Sequence, residues 1–278
     1  MGAWELWGLA RRALGLAGGL GAGLVQLAGE QAAWVLVLPG TRRAYHAGLA
    51  LLVLLSPLLR LYVSPHAVFA NPRNFFHVKL VASAWGWTSL LVAGLLLPLA
   101  VGAAGRVGAA LRPLCRLAVG AGFWVGARAA FALAEDLTGH CYDPVPGGRL
   151  VNALPSKAAC SAGGHRWTGF APSAPAFLLT FCPLLVLEEA GVFGRCLARG
   201  LRAGAALHAL FLFNVALLLL WPALLVATLL WQPPYAPHAA GTATATLCWA
   251  LAYRGWYRCR WSPGRPGTGL FPLAAECA

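Results

Sequence analysis

Two adjacent carboxylates, Glu188 and Glu189, close an apolar run that begins near Ser173, "SAPAFLLTFCPLLVLEEA". An acid at the centre of a hydrocarbon layer costs about 2.5–3.5 kcal/mol, and less near an end, where the side chain reaches polar surroundings. Counted along a helix from residue 174, Glu188 lies about 21 Å on, in the last third of a layer about 30 Å thick. Neighbouring helical residues point about 100° apart, so only one of the two is expected to face a bundle interior. Two uses stay open for them: pairing with Arg195 or capping the bundle, or handling a lipid headgroup or a proton.

Other groups could carry chemistry. Glu135 and Asp136 end another apolar run and suit an interfacial anchor or a catalytic pair. Arg128, two turns earlier, could meet a carboxylate from a neighbouring helix. The seven histidines, His46, His66, His77, His140, His165, His208 and His238, would serve phosphoryl transfer only if two faced each other across a cleft, as nucleophile and general acid. Their spacing brings no two together. Cys141 and Cys160 share one long connection and are candidates for a disulfide, although spacing alone does not establish proximity. No cysteine stands at a zinc-finger spacing from histidine, so neither a metal nor another cofactor is expected. The absence of a Walker A loop, H-E-x-x-H and G-x-S-x-G sets aside P-loop nucleotide hydrolysis, zincin chemistry and standard serine hydrolysis.

The elements that must position these groups are membrane spans. Of 278 residues, 59% are hydrophobic and 10% charged, against roughly 25% charged in a soluble domain. Runs near the 20 residues a bilayer requires lie at 44–63, 78–104, 114–134, 174–193, 206–231 and 239–253. These predict an all-α integral membrane protein, a six-span helical bundle. A further apolar segment, 13–38, is interrupted by Glu30 and Gln31 and reads as an interfacial or partly inserted helix. The domains expected are an N-terminal cytosolic or interfacial segment (1–43), a transmembrane domain (44–257) with a luminal loop (135–173), and a cytosolic tail (258–278). Trp85, Trp87, Trp231, Trp249 and Trp256 fit aromatic belts at the membrane interfaces.

The formal charge of +13 would suggest nucleic acid in a soluble chain, but here the basic residues sit between apolar runs and mark topology, so no nucleic acid partner is expected. Arg11, Arg12, Arg42, Arg43, Arg106, Arg112, Arg116, Arg195, Arg199, Arg202, Arg254, Arg258, Arg260 and Arg265 fall on one side. The smaller set, Arg60, Arg73, Lys79, Arg149, Lys157 and Arg166, falls on the other. Both termini are therefore expected in the cytosol.

The blocks "NFFHVKLVASAWGWT", "EDLTGHCY", "GGHRWTGF", "FLLTFCPLLVLEE" and "WSPGRPGTGLF" occur in order between residues 74 and 271. Together they resemble the fat storage-inducing transmembrane proteins. The resemblance implies a multi-pass endoplasmic reticulum protein, similar to the lipid phosphatase superfamily, that binds diacylglycerol and triacylglycerol and promotes lipid droplets. It also implies a fatty acyl-CoA diphosphatase activity resting on two luminal histidines. The matching positions here are Pro175 and Pro233. Proline can neither attack phosphorus nor hold a titrating proton, and His238 could substitute only if its loop rebuilt itself.

The expected function is thus binding and partition of neutral lipid without catalysis, with Phe177, Leu178, Leu179, Glu188 and Glu189 as candidate lipid contacts and a homo-oligomer as a possible assembly. A diphosphatase with a rearranged site is the alternative. A transporter would need polar residues at mid-depth in opposed helices and an internal repeat, and the chain has neither.

Overall fold

The structure is a computed structural model. It describes residues 3–64, 67, 71, 74–104, 110–144, 149–150, 156–232, 234–268 and 270, with side chains from residue 18 onward except those of 77, 103 and 104. His66, Arg73, Arg106, Pro233 and the tail 271–278 lie outside the described residues, as do the side chains of Arg11, Arg12 and His77.

The long helices are α1 (Ala3–Val37), α2 (Pro39–Leu59), α3 (Ala84–Ala104), α4 (Leu111–Thr138), α6 (Ala174–Ala198), α7 (Ala205–Trp231) and α8 (Tyr235–Trp249). Between α4 and α6 the chain forms a short helix, α5 (Lys157–Ala162), and two three-residue strands, β1 (His140–Tyr142) and β2 (Arg166–Thr168), paired antiparallel. Six helical stretches among the described residues are long and apolar enough to cross a bilayer: Gly18–Val37, Pro39–Tyr62, Ala84–Gly102, Leu111–Thr138, Ala174–Ala198 and Ala205–Trp231. The chain is an all-α, multi-pass integral membrane protein.

The number of spans agrees with the sequence reading, but one member differs. Glu30 and Gln31 interrupt the apolar run without interrupting α1, because both are good helix formers and Glu30 stays exposed. Gly18–Val37 therefore joins the set. The run at 239–253 holds only 15 α-helical residues before a π-turn, Ala250–Gly255, continues it. With that turn the helix still extends roughly 30 Å.

Helix α6 is the axis of the bundle and touches α1, α3, α4, α7 and α8. From Ala176 to Gly194 its side chains are buried, apart from half-buried Glu188. In such a helix amphipathic patterning disappears, since every face meets protein. Ser173 caps it, accepting from the Ala176 amide at 3.3 Å, and Pro175 follows in the first turn, where a missing N–H costs nothing. Aromatic rings tie α6 to α4: Phe177 stacks on Trp124 at 5.9 Å and on Phe181 at 5.4 Å, with Phe131 edge-on at 6.0 Å. Close backbone approach fixes two other contacts. A Cβ on Gly241 of α8 would fall on the Ser173 carbonyl, and one on Gly194 would stand 2.8 Å from the Ala33 carbonyl of α1.

Polar side chains add interhelical bonds. The Asn214 amide donates to the Leu91 carbonyl at 3.0 Å, Trp221 Nε1 to Thr88 Oγ1 at 3.1 Å, and the Tyr45 hydroxyl to the Leu218 carbonyl at 2.9 Å. These join α7 to α3 and to α2.

Candidate functional site

At one end of the bundle the loop between α4 and α6 folds over its neighbours. Cys141 and Cys160 form a disulfide with Cα atoms 5.7 Å apart. Lys157 Nζ lies 3.1 Å from Glu135 and 3.3 Å from Asp136, so this acid pair anchors α5. The hydrogen bond to Glu135, aided by the neighbouring carboxylates, holds the Lys157 ammonium above its usual range. Pro175 is exposed at this end. His238 is 7% exposed, with Nε2 3.0 Å from the Gln232 carbonyl. His165 Nδ1 lies 3.2 Å from Asp143. No group of three metal-ligating side chains occurs among the described residues.

The adjacent acids lie toward the opposite end and diverge, as helical geometry requires. Glu189 is 1% exposed and receives Arg116 of α4 in a fork, Nε to Oε1 at 2.6 Å and Nη2 to Oε2 at 2.8 Å. The Tyr253 hydroxyl adds a third bond to Oε1 at 2.9 Å. One carboxylate thereby binds α4, α6 and the π-turn together. Nearby, burial pushes the Tyr257 phenol upward, with Glu189 adding to the rise and Arg116 opposing it. Glu188 instead faces Arg42 of α2 at 3.1 Å.

The sequence offered Arg195 as the acids' partner, yet Arg195 Nη2 donates to the Pro266 carbonyl at 3.1 Å. Arg116 passed as a topology marker because it stands near the start of its span. Its depth, more than a turn inside α4, was the available signal. Arg128 is exposed and lies over the Trp124 ring at 5.5 Å.

Between α2, α6, α7 and α8 lies an apolar cavity of about 680 Å³. Leu49 and Val53 line it from α2, Leu184 from α6 and Leu225 from α7, while α8 contributes Ala239, Ala243 and other small residues. Small residues recurring at helical spacing on α8 leave the space open. This pattern was visible in the sequence but is indistinguishable there from a helix-packing face. Of the expected lipid contacts, Phe177, Leu178 and Leu179 are buried in the core, and α6 meets the cavity through Thr180 and Leu184. Thr180, Thr242 and Thr246 also line it; each hydroxyl donates to its own helix backbone at 2.9 Å, leaving oxygen lone pairs able to accept. Trp249 is 4% exposed, and its Nε1 has no hydrogen-bond partner among the described residues. The cavity is thus greasy, with a few acceptors.

Comparison with known proteins gives several relatives. The chain is 49% identical over 249 residues to the human fat storage-inducing transmembrane protein 1, an alignment covering 90% of this chain and 85% of that protein. It is 38% identical over 252 residues to the zebrafish (Danio rerio) protein of the same name, covering 84% and 87%. It is 32% identical over 243 residues to the pig (Sus scrofa) acyl-coenzyme A diphosphatase FITM2, covering 85% and 93%. No protein-family model and no solved structure matches the chain.

Proposed function

We propose, for a chain that belongs to the fat storage-inducing transmembrane protein family, that it binds diacylglycerol and triacylglycerol within the endoplasmic reticulum membrane and helps partition them into lipid droplets without catalysis. The observation that carries this reading is the apolar cavity of about 680 Å³, within the range of roughly 300–1,000 Å³ common for small-molecule sites. Apolar lining alone gives little advantage inside a bilayer, where lipid tails are as greasy as leucine. Discrimination must come from polar groups. The threonine oxygens can accept from a free hydroxyl, which only diacylglycerol has. Diacylglycerol is therefore the better fit. The gathering of arginines at one end supports that end, with the segment after α8, lying in the cytosol and the disulfide-bonded loop in the lumen; because α1 also crosses, its start falls on the luminal side.

The test is photo-crosslinking of the full-length protein in phosphatidylcholine vesicles with a diazirine diacylglycerol. Ala243→Phe, which fills the cavity, should abolish labelling, while Leu219→Phe, on an exposed part of α7, should not. Equal labelling of both variants would remove the cavity from the account.

One observation favours the diphosphatase reading, namely the 32% identity to proteins named acyl-coenzyme A diphosphatase FITM2. Against it stands Pro175, which fills a helix first turn and offers no titrating group. Purified protein incubated with oleoyl-CoA separates the two: release of adenosine 3′,5′-bisphosphate above a mock preparation would establish catalysis.

A further inference from the structure

A second cavity, of about 760 Å³, opens at the basic end and is lined by Arg42, Arg43, Arg195, Arg254, Arg258 and Arg265, with Glu188 as the one carboxylate. These side chains come from α2, α6, the π-turn and the segment after it, so the chain gathers them from positions more than 200 residues apart. Arginines that only mark topology need to lie at the interface; they do not need to converge on one space. Glu188 pairs with Arg42 at 3.1 Å and also acts on Arg195 and Arg254, so a single carboxylate in the lining faces six guanidinium groups around one volume. Their mutual repulsion favours an anion between them. Pro266, held by Arg195, completes part of the wall.

We propose that this cavity binds a polar head bearing more than one phosphate. Planar guanidinium forks match phosphate oxygens, and a group of them can engage several phosphates at once. The volume also exceeds what one phosphate would occupy. The head is carried by a lipid, because His46, Trp249 and Arg254 line both cavities, so the basic space adjoins the apolar one. Arg254 lies 4.9 Å over the Trp249 ring, at the junction where a head would give way to a chain. Only the placing of that chain rests on the neutral-lipid reading above.

The experiment uses the purified full-length chain in maltoside micelles. It is titrated separately with dioctanoyl phosphatidylinositol 4,5-bisphosphate, phosphatidylinositol, phosphatidylserine and soluble inositol 1,4,5-trisphosphate. The bisphosphate lipid should bind at least about tenfold more tightly than phosphatidylinositol or phosphatidylserine. The variant Arg254→Gln/Arg258→Gln should lose about tenfold or more, while Arg149→Gln/Arg166→Gln, at the disulfide end, should bind as the unaltered chain does. Arg43→Glu, exposed on α2, repeats the loss from another element and guards against misfolding of the double variant. Tighter binding of the lipid than of inositol trisphosphate identifies a lipid headgroup as the source; equal binding identifies a soluble polyphosphate. Equal binding of phosphatidylserine and the bisphosphate lipid, or unchanged binding by the arginine variants, would overturn the proposal. Crosslinking to diacylglycerol is read separately, so either site can fail without the other.

Discussion

Replacing Glu189 by Gln tests whether the buried fork between α4 and α6 holds the bundle. The two partners are 3% and 1% exposed, so the variant leaves the Arg116 guanidinium in the interior without a counter-charge. Breaking a buried ion pair from one side costs about 3–5 kcal/mol. An ordinary interhelical hydrogen bond in a membrane protein is worth only about 0.6 kcal/mol, because the unfolded chain in the bilayer also finds partners. The magnitude therefore distinguishes a charge lock from a polar contact. For a chain of this size, 3–5 kcal/mol corresponds to a fall in Tm on the order of 10 °C. The assay is thermal unfolding in maltoside micelles, followed by loss of the monodisperse peak on size exclusion. The doubly apolar variant Arg116→Leu/Glu189→Leu removes both charges and should recover most of the loss, since packed hydrophobic replacements of buried pairs are commonly neutral or better. A fall under about 1 kcal/mol for Glu189→Gln, or additive losses in the double variant, would refute the charge-lock argument.

Four other outcomes follow from the geometry. Gly241→Val should destabilise by about 1–3 kcal/mol in the same assay, since its Cβ would strike the Ser173 carbonyl and force α8 off α6. Removing the disulfide with Cys141→Ser/Cys160→Ser opens a loop of sequence separation 19 and should cost the loop end about 3 kcal/mol, seen as faster amide exchange in α5 and β2. Glu188→Gln releases Arg42 into the basic cavity and should tighten binding of the bisphosphate lipid by up to about fivefold, the limit for a partly exposed pair. The Lys157 ammonium is held above its ordinary 10.5, so its anchoring of α5 is complete below that pH and is lost only as pH rises through the raised value. Protection factors in α5 should therefore be flat from about pH 6 to 9.

Much of the fold was legible because the bilayer imposes a length. Five of the six expected runs coincide with long helices, and the sixth became α8 plus its π-turn. The extent of α1 was not legible, since Glu30 lowers hydropathy while leaving helix propensity intact. The site was less legible than the fold. Phe177, Leu178 and Leu179 read as a candidate pocket wall, because an apolar side chain lining a pocket and one packed in the core are identical in sequence. Only the packing of Trp124, Phe131 and Phe181 around Phe177 separates the two cases. Arg116 and Tyr253 escaped notice because their partner is distant in sequence. No local pattern encodes a contact between residues 116 and 189.

The divergence of two neighbouring acids explains why the basic end can be both rigid and receptive. A turn of about 100° per residue sends Glu189 inward, where it is held by Arg116 and Tyr253, and Glu188 outward, where one carboxylate pairs with Arg42 and faces an excess of arginines around the open cavity. The inward acid fixes the π-turn through Tyr253, and the next residue of that turn, Arg254, stands where the basic and apolar cavities meet. A one-residue insertion in α6 ahead of the pair would bring Glu188 to the inward position facing Arg116 and turn Leu187 toward Arg42, keeping the lock while removing the ion pair to α2. The register of this short stretch therefore carries information that its composition does not.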